Sequence, residues 1–340
     1  MFNGKSSHNI FEEITSYENL FLAWQEFSWG KAKKKDVQEF EFNLEDNIFS
    51  IRSELLNRTY IHKPYHSFYV RDPKLRHIHK AEIRDRGVHQ ALFRILYKIF
   101  DNNFIFDSHS CRVNKGAHRA IKRLKIFAGR TGENNHKTVF VLKCDIKKFF
   151  DSIDQKTLLD ILKTKIRDSD ALWLISVILE SFEKEQGHGL PLGNVTSQLF
   201  ANLYLNELDQ FIKNKLKIKY YIRYCDDFVV CHRDKNFLIV IIKNIQSFLI
   251  ERLGLSLHER KVIIRKYSQG IDFLGYIVKP KYIILRTKTK NRILKKIADI
   301  KRYFLLGKVT ENSFNQSLQS YLGILGYCKG FKISQIIKNL

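Results

Sequence analysis

Three aspartates stand out in a chain otherwise crowded with cations. Asp145 lies in KCDIKKFFDSID (143–154), and Asp226 and Asp227 lie in YYIRYCDDFVVCH (220–232). Carboxylates brought together repel, and each raises the pKa of the other unless a cation neutralises them. Hard Mg²⁺ prefers carboxylate oxygen, and two such ions about 3.5–4 Å apart need bridging acids on rigid strands. One ion would lower the pKa of a 3′-hydroxyl, and the other would hold a triphosphate and its leaving pyrophosphate. A bare Asp-Asp pair is also ordinary turn chemistry. Here Tyr224 precedes the pair, Phe228-Val229-Val230 follows it, and a second aspartate closes a strand pattern upstream. That context favours the metal reading.

The elements that must carry these acids are legible in outline. TVFVLKCD (138–145) alternates like a strand, with Phe140, Leu142, Cys144 and Ile146 on one face and Val139, Val141, Lys143 and Asp145 on the other. Asp145 therefore closes a strand on the face opposite the more apolar one. YYIRYCDDFVVCH predicts a tight hairpin, two β-rich arms with Cys225-Asp226-Asp227 at the bend. Between them, the loop EKEQGHGLPLGNVTS (183–197) leads into an amphipathic helix, SQLFANLYLNELDQFIKNKL, with Leu199, Leu203, Leu208, Phe211, Ile212 and Leu216 at helical spacing.

Upstream, residues 15–60 read as helical, with KAKKK (31–35) an exposed turn or a solvated face. RDPKLRHIHKAEIRDR (71–86) is dense in charge and imidazole, and VHQALFRILYKIF (88–100) is helical. A basic segment runs from Cys111 to Lys125, and Gly129 to Lys137 reads as a polar loop. Downstream, helix and strand patterns run through IDFLGYIV (271–278). From Lys279 to Arg302 ten Lys/Arg stand against one acid, Asp299, in what reads as a basic helical region.

Composition sets the partner class. The 340 residues carry 59 Lys+Arg against 35 Asp+Glu, a net charge of +24, with 44% hydrophobic and 13% aromatic residues. That excludes a disordered tail, a collagen-like chain and a coiled coil. A folded chain so basic points to a polyanion, nucleic acid before anionic membrane. The N-terminal twenty residues lack a secretory pattern, and apolar runs such as FLIVII (237–242) are far short of a membrane span. Five scattered cysteines without a CxxC pair argue against a disulfide framework or zinc finger, and fit reduced thiols in the cytoplasm. His62, His66, His77 and His79 lack partners at metal-ligand spacing and read as solvated or phosphate-facing. Tyr65, Phe68 and Tyr69 read as core, with stacking on single-stranded bases the functional alternative.

The boxes resemble reverse transcriptases. YCDD (224–227) resembles their YxDD box, KCDIKKFFDSID their motif A, and GLPLGNVTSQLFANLYLNELD (189–209) their motif B. IRDRGVHQAL (83–92) and FDSHSCRVNKGAHRA (106–120) resemble the fingers motifs, and LGLSLHERK with IDFLGYIV the later palm motifs. The resemblance covers roughly residues 60–280. It implies Asp145, Asp226 and Asp227 as ligands of two Mg²⁺ ions, with Ile146 lending a carbonyl, and Phe150 as a steric gate against a ribose 2′-hydroxyl. It implies Arg84, Arg112 and Lys115 as cations for triphosphate or template backbone, and Lys261 as a general acid toward pyrophosphate. Leu192, Gly193 and Gln198 would line the nascent base pair.

Motif B departs from the QGxxxSP common in retroviral and group II intron enzymes. It reads LGxxxSQ, from Leu192 to Gln198, and so looks like the error-prone reverse transcriptases of diversity-generating retroelements. SYLGILGYCKG (320–330) looks like the thumb helix of that group, and no VTG signature, HNH-like cluster or RNase H acid set is evident. The expected fold is α+β, a right hand: residues 1–80 an N-terminal helical extension and the start of the fingers, 81–137 fingers, 138–280 an antiparallel-sheet palm backed by helices, with an inserted loop near 183–197, and 281–340 a short helical thumb, too short for a maturase plus endonuclease extension. The expected activity is RNA-templated DNA synthesis. The expected partners are template RNA, an RNA/DNA hybrid, dNTPs and a small basic oligomeric accessory protein, with no membrane. An antiphage-defence, retron-like or orphan enzyme is the alternative of the same class. A catalytically idle, maturase-like RNA-binding protein is the alternative of another.

Overall fold

The computed structural model describes residues 9–71 and 74–338. The first eight residues, part of the N-terminal reading, and residues 72–73 of the charged segment lie outside the described residues. In chain order the elements are α1 (Ile10–Thr15), α2 (Tyr17–Ser28), α3 (Lys35–Phe42), α4 (Leu44–Leu56), β1 (His66–Arg71), β2 (Leu75–Lys80), α5 (Ile83–Phe100) and α6 (Ala117–Thr131). They continue with β3 (Phe140–Asp145), α7 (Gln155–Lys163), α8 (Ser169–Glu180), α9 (Val195–Gln210), β4 (Tyr221–Tyr224), β5 (Asp227–His232) and α10 (Lys235–Leu253). The last are β6 (Ile263–Lys266), β7 (Ile271–Phe273), β8 (Tyr276–Val278), β9 (Ile283–Leu285), α11 (Thr287–Leu305), α12 (Glu311–Leu325) and α13 (Phe331–Lys338). None of the described helices is long and apolar enough to cross a membrane.

Two compact units share this chain. The first comprises the residues up to Phe106, Ile146–Leu216 and Ile245–Leu257; the second comprises Asp107–Asp145, Lys217–Asn244 and the residues from His258 on. Helix starts in the first unit follow local chemistry. Ser16 separates α1 from α2 and caps the latter through the Asn19 amide, and Asp168 caps α8 through two amides while accepting a third bond from Phe11 N. Val88, Leu92, Ile95 and Leu96 form the buried stripe of α5. Residues of α9 from Leu199 to Leu205 are buried all round, apart from the one-sided pattern expected for an amphipathic helix. β1 and β2 form an antiparallel hairpin, unread in the sequence because β1 carries no buried residue to set an alternation.

A polar chain crosses the inside of the first unit. His89, 1% exposed, meets the Thr196 hydroxyl with Nδ1 at 2.6 Å and His62 Nε2 with Nε2 at 2.9 Å. His62 is thus tied into the interior rather than solvated. Buried Asp85 accepts from the Tyr60 hydroxyl and the Lys63 amide. Burial, with His62 and Arg86 adding to it, pushes the His89 pKa down to about 3. An imidazole with an ordinary value near 6.5 that is held neutral in the fold stabilises fully above that value, and this contribution is lost as pH falls toward 3. The expected loss is about 4 kcal/mol across that window. Urea midpoints at pH 7 and pH 4 check it: the wild type should fall steeply on acidification and His89→Gln clearly less, and parallel curves would refute the assignment.

In the second unit, four antiparallel strands lie in the order β4-β5-β3-β6. Ala120, Ile121, Leu124, Phe127 and Ala128 of α6 pack into one core with Val141, Ile222, Val229 and Cys231 of the sheet. Each larger side chain so removed from water contributes about 1.5–3 kcal/mol. The helix runs to Thr131, three residues into the stretch expected to be loop. A second sheet, β7-β8-β9, turns at Leu274-Gly275, whose φ values of 50° and 87° are those of a two-residue hairpin bend. Residues Ile283–Leu285, expected to be helical, form its third strand, and helix begins only at Thr287.

Candidate active site

Strand register places the acids of the second unit. β3 pairs with β5 so that Asp145 lies directly opposite Asp227, and β4 pairs with β5 so that Tyr224 lies opposite Asp227. The hairpin bend is therefore only Cys225 and Asp226. Asp227 is the first residue of β5, a correction to the three-residue bend expected. Cys225 takes a φ of 54° at the first bend position, where a two-residue hairpin calls for a positive value. Two aspartates are thus strand-held and facing, and the third sits at the tip between them in sequence.

Two lysines meet these acids. Lys261, in the turn Glu259–Lys261, brings Nζ to 2.6 Å from Asp145 Oδ1, and Lys143 brings Nζ to 3.8 Å from Asp227 Oδ1. Burial, and then the charge of Asp145, raises the pKa of Asp226. Burial raises Asp227 to about 6, with Lys143 opposing and the two other aspartates adding to it. Asp227 Oδ1 is buried and accepts no hydrogen bond. Hard oxygen donors that repel one another, one of them orphaned, suit a small divalent cation. Among the described residues no three His, Cys, Asp or Glu side chains are already gathered as metal ligands, and the ammonium groups are the cations nearest Asp145 and Asp227.

Arg112 and Lys115 also belong to the second unit. The Arg112 guanidinium donates to the Ser108 carbonyl at 3.3 Å, and the Lys115 amide to the Arg112 carbonyl at 3.2 Å. The first unit holds the remaining candidates. Ile146, next in chain to Asp145, bridges to Leu257. Phe150 is half-buried in the turn Phe149–Ser152, edge-on to Phe149, and its carbonyl accepts from Leu190 N. Arg84 is committed to Glu54 at 2.6 Å. The Leu192 carbonyl accepts from His79 N at 2.8 Å, Gly193 has a φ of 122°, and Gln198 is exposed on the first turn of α9. Of the aromatics, Tyr65 is held by Ser181 and the rings of His62 and Phe182, while Phe68 and Tyr69 are exposed, Tyr69 stacked on His77.

Three residues near these positions escaped the sequence reading. Lys143 alternates onto the face of Asp145, but its pairing with Asp227 depends on the register of β3 with β5, which alternation alone does not give. Asn194 directly precedes α9, where a cap would be expected, yet its side chain instead bonds His79 O and Ala81 N. Arg223 sits in a β-rich run and is fully buried.

Comparison with known proteins agrees with this arrangement. A family model described as reverse transcriptase (RNA-dependent DNA polymerase) matches residues 61–278. The group II intron-encoded protein LtrA of Lactococcus lactis subsp. cremoris is 26% identical over 306 residues, covering 69% of this chain and 50% of LtrA. Protein YkfC of Escherichia coli K12 is 24% identical over 266 residues, 66% of this chain and 69% of YkfC. The chain spans about half the length of LtrA. Telomerase from Candida albicans, solved with a fragment of telomeric RNA, superposes with a TM-score of 0.50 at 13% identity, over 82% of this chain and 58% of that one. The likeness is one of fold, the α+β right-hand polymerase class with antiparallel sheets. The matched span takes in more than half of the chain, with the strand that ends in Asp145 and the hairpin that carries Asp226 and Asp227; the chain belongs to the reverse transcriptase family.

Proposed function

We propose that this chain is an RNA-directed DNA polymerase that extends a primer along template RNA with dNTPs. The observation that carries the reading is the facing pair Asp145 and Asp227, with Asp226 at the adjoining bend and its pKa raised by burial and by Asp145. Asp145, Asp226 and Asp227, with the Ile146 carbonyl, would hold two Mg²⁺ ions. When bound, such ions lower the pKa of the primer 3′-hydroxyl and offset charge on the leaving pyrophosphate. The chain's own residues do the rest. Lys261 is the general acid that delivers a proton to pyrophosphate. Phe150 excludes a ribose 2′-hydroxyl, Arg112, Lys115 and Arg84 receive phosphate, and Leu192, Gly193 and Gln198 bound the nascent pair. Residues 1–80 serve as an N-terminal extension and the start of the fingers, 81–137 as fingers, 138–280 as palm and 281–340 as thumb. The five free thiols support a cytoplasmic setting.

Within the family we assign the chain to the error-prone, diversity-generating branch, working with a small basic oligomeric accessory protein. The support is Leu192 in the LGxxxSQ string. A glutamine there could hydrogen-bond around the nascent pair, and leucine offers only apolar contact. One polar check of about 1 kcal/mol corresponds to several-fold in discrimination. Purified protein given a defined template RNA, primer, dNTPs and Mg²⁺ should make cDNA with errors concentrated opposite adenine, and Leu192→Gln should lower those errors several-fold. No cDNA from the wild type would overturn the polymerase reading. An even, low error rate that Leu192→Gln leaves unchanged would overturn the branch. The likeness to an intron-encoded protein supports a second reading, an RNA-binding maturase-like role, which the first outcome would favour.

A further inference from the structure

A charged side chain with no exposed surface lies two residues before the bend that carries Asp226. Arg223 of β4 is 0% exposed. Its Nη1 donates to the Cys225 carbonyl at 3.3 Å, and its Nη2 to the Ser108 hydroxyl at 3.1 Å. The backbone repeats the connection, since Arg223 N donates to Asp107 O at 3.0 Å and His109 N to Arg223 O at 2.9 Å. Asp107 to Ser110 are all buried and lie along β4 as a parallel neighbour, with Ser108 bridged to Arg223. Two further arginines pin the same segment: Arg112 on the Ser108 carbonyl and Arg123 on the Asp107 carboxylate at 2.6 Å.

A buried cation is poor evidence of stability, because a well-packed apolar residue of similar volume serves as well or better. What guanidinium supplies is a rigid fork of donors at fixed angles. One tine here holds the carbonyl of Cys225, the bend residue with positive φ, and the other holds a segment outside the sheet. We propose that Arg223 is a positioning residue, fixing the two-residue bend that presents Asp226 against the Asp107–Ser110 segment. The hairpin register sets where Asp227 lies; the arginine fork sets the peptide on which Asp226 is mounted. For its activity arm the proposal rests on the polymerase reading.

Arg223→Lys keeps the charge and loses the fork. The expected result is a fall of tenfold or more in primer-extension rate at saturating dNTP, with the dNTP KM and the affinity for primer–template within threefold of wild type. Hydrogen exchange should rise at the bend amides of 225–227 and stay unchanged in α6 and β6. Ser108→Ala should act in the same direction, and the double variant should be no worse than Arg223→Lys alone, as expected of two groups on one linkage. Wild-type rate and wild-type bend exchange in Arg223→Lys would overturn the proposal. So would exchange rising throughout the second unit, which marks a merely structural role. If the wild-type protein makes no cDNA, the polymerase reading fails, and bend exchange still decides the positioning role.

Discussion

Asp226→Asn should abolish cDNA synthesis, by a factor of at least about 10³, while leaving the protein as stable as the wild type or more so. At about 1.4 kcal/mol per tenfold, that is about 4 kcal/mol of lost transition-state stabilisation. The two halves of the expectation have one cause. Asp226 is held in a partly desolvated bend whose burial, reinforced by Asp145, disfavours its charge. Replacing the carboxylate with a neutral amide of the same shape removes that penalty and, on the proposed role of Asp226, a metal ligand at once. Asp145→Asn should lose as much activity and behave differently in a melt. Its carboxylate is 2.6 Å from the Lys261 ammonium, so the amide strips a partner from that lysine. Lys261 keeps about two fifths of its side-chain exposure, so the stability cost stays below about 1 kcal/mol. Single-turnover primer extension and thermal melting of both variants check this. Residual extension above one tenth of wild type in Asp226→Asn would remove that residue from the chemistry.

What could be read beforehand follows from how local each signal is. Asp145 at a strand end and the Asp-Asp pair in a hairpin came from period-two alternation and from β-rich arms, both properties of a few neighbouring residues. The bend was read one residue too long because composition cannot fix register. Only the pairing of Tyr224 with Asp227 shows that the strand resumes at the second aspartate. β9 was missed because three apolar residues in a basic stretch give no measurable period, and its strand character comes from pairing with β8. Arg223 was missed for the opposite reason. In an alternating strand a lone charge reads as the solvent side, and nothing local says that Ser108, 115 residues away, waits for its guanidinium. Asn194 carries a helix-cap residue type, but its amide serves β2 instead of α9. The chemistry-bearing types were therefore visible, and the residues that aim them were not, because aiming is done by long-range bonds.

Gly193→Ala is expected to cost about 2–4 kcal/mol of stability and to lower primer extension at least a hundredfold. At a φ of 122° the backbone is in a region that L side chains adopt only under strain, about 1–3 kcal/mol. A Cβ there would also stand 2.9 Å from Ile78 Cγ2 and 3.4 Å from the His79 carbonyl. Escape by rotating the peptide is blocked on both sides. The Leu192 carbonyl accepts from His79 N at 2.8 Å, and the Asn194 amide donates to His79 O at 2.9 Å, so the loop is fastened to the end of β2 immediately before and after the glycine. Any shift breaks one of these bonds, at about 1 kcal/mol each, and moves Leu192 together with the start of α9 that carries Gln198. Ile78→Ala separates the two contributions. In the Gly193→Ala background it removes the side-chain clash and leaves the backbone strain, so melting temperature and extension rate should recover in part and not in full. Full recovery would show that steric contact with Ile78 is the whole effect. An unperturbed Gly193→Ala protein would show that the loop can leave β2 without consequence for catalysis.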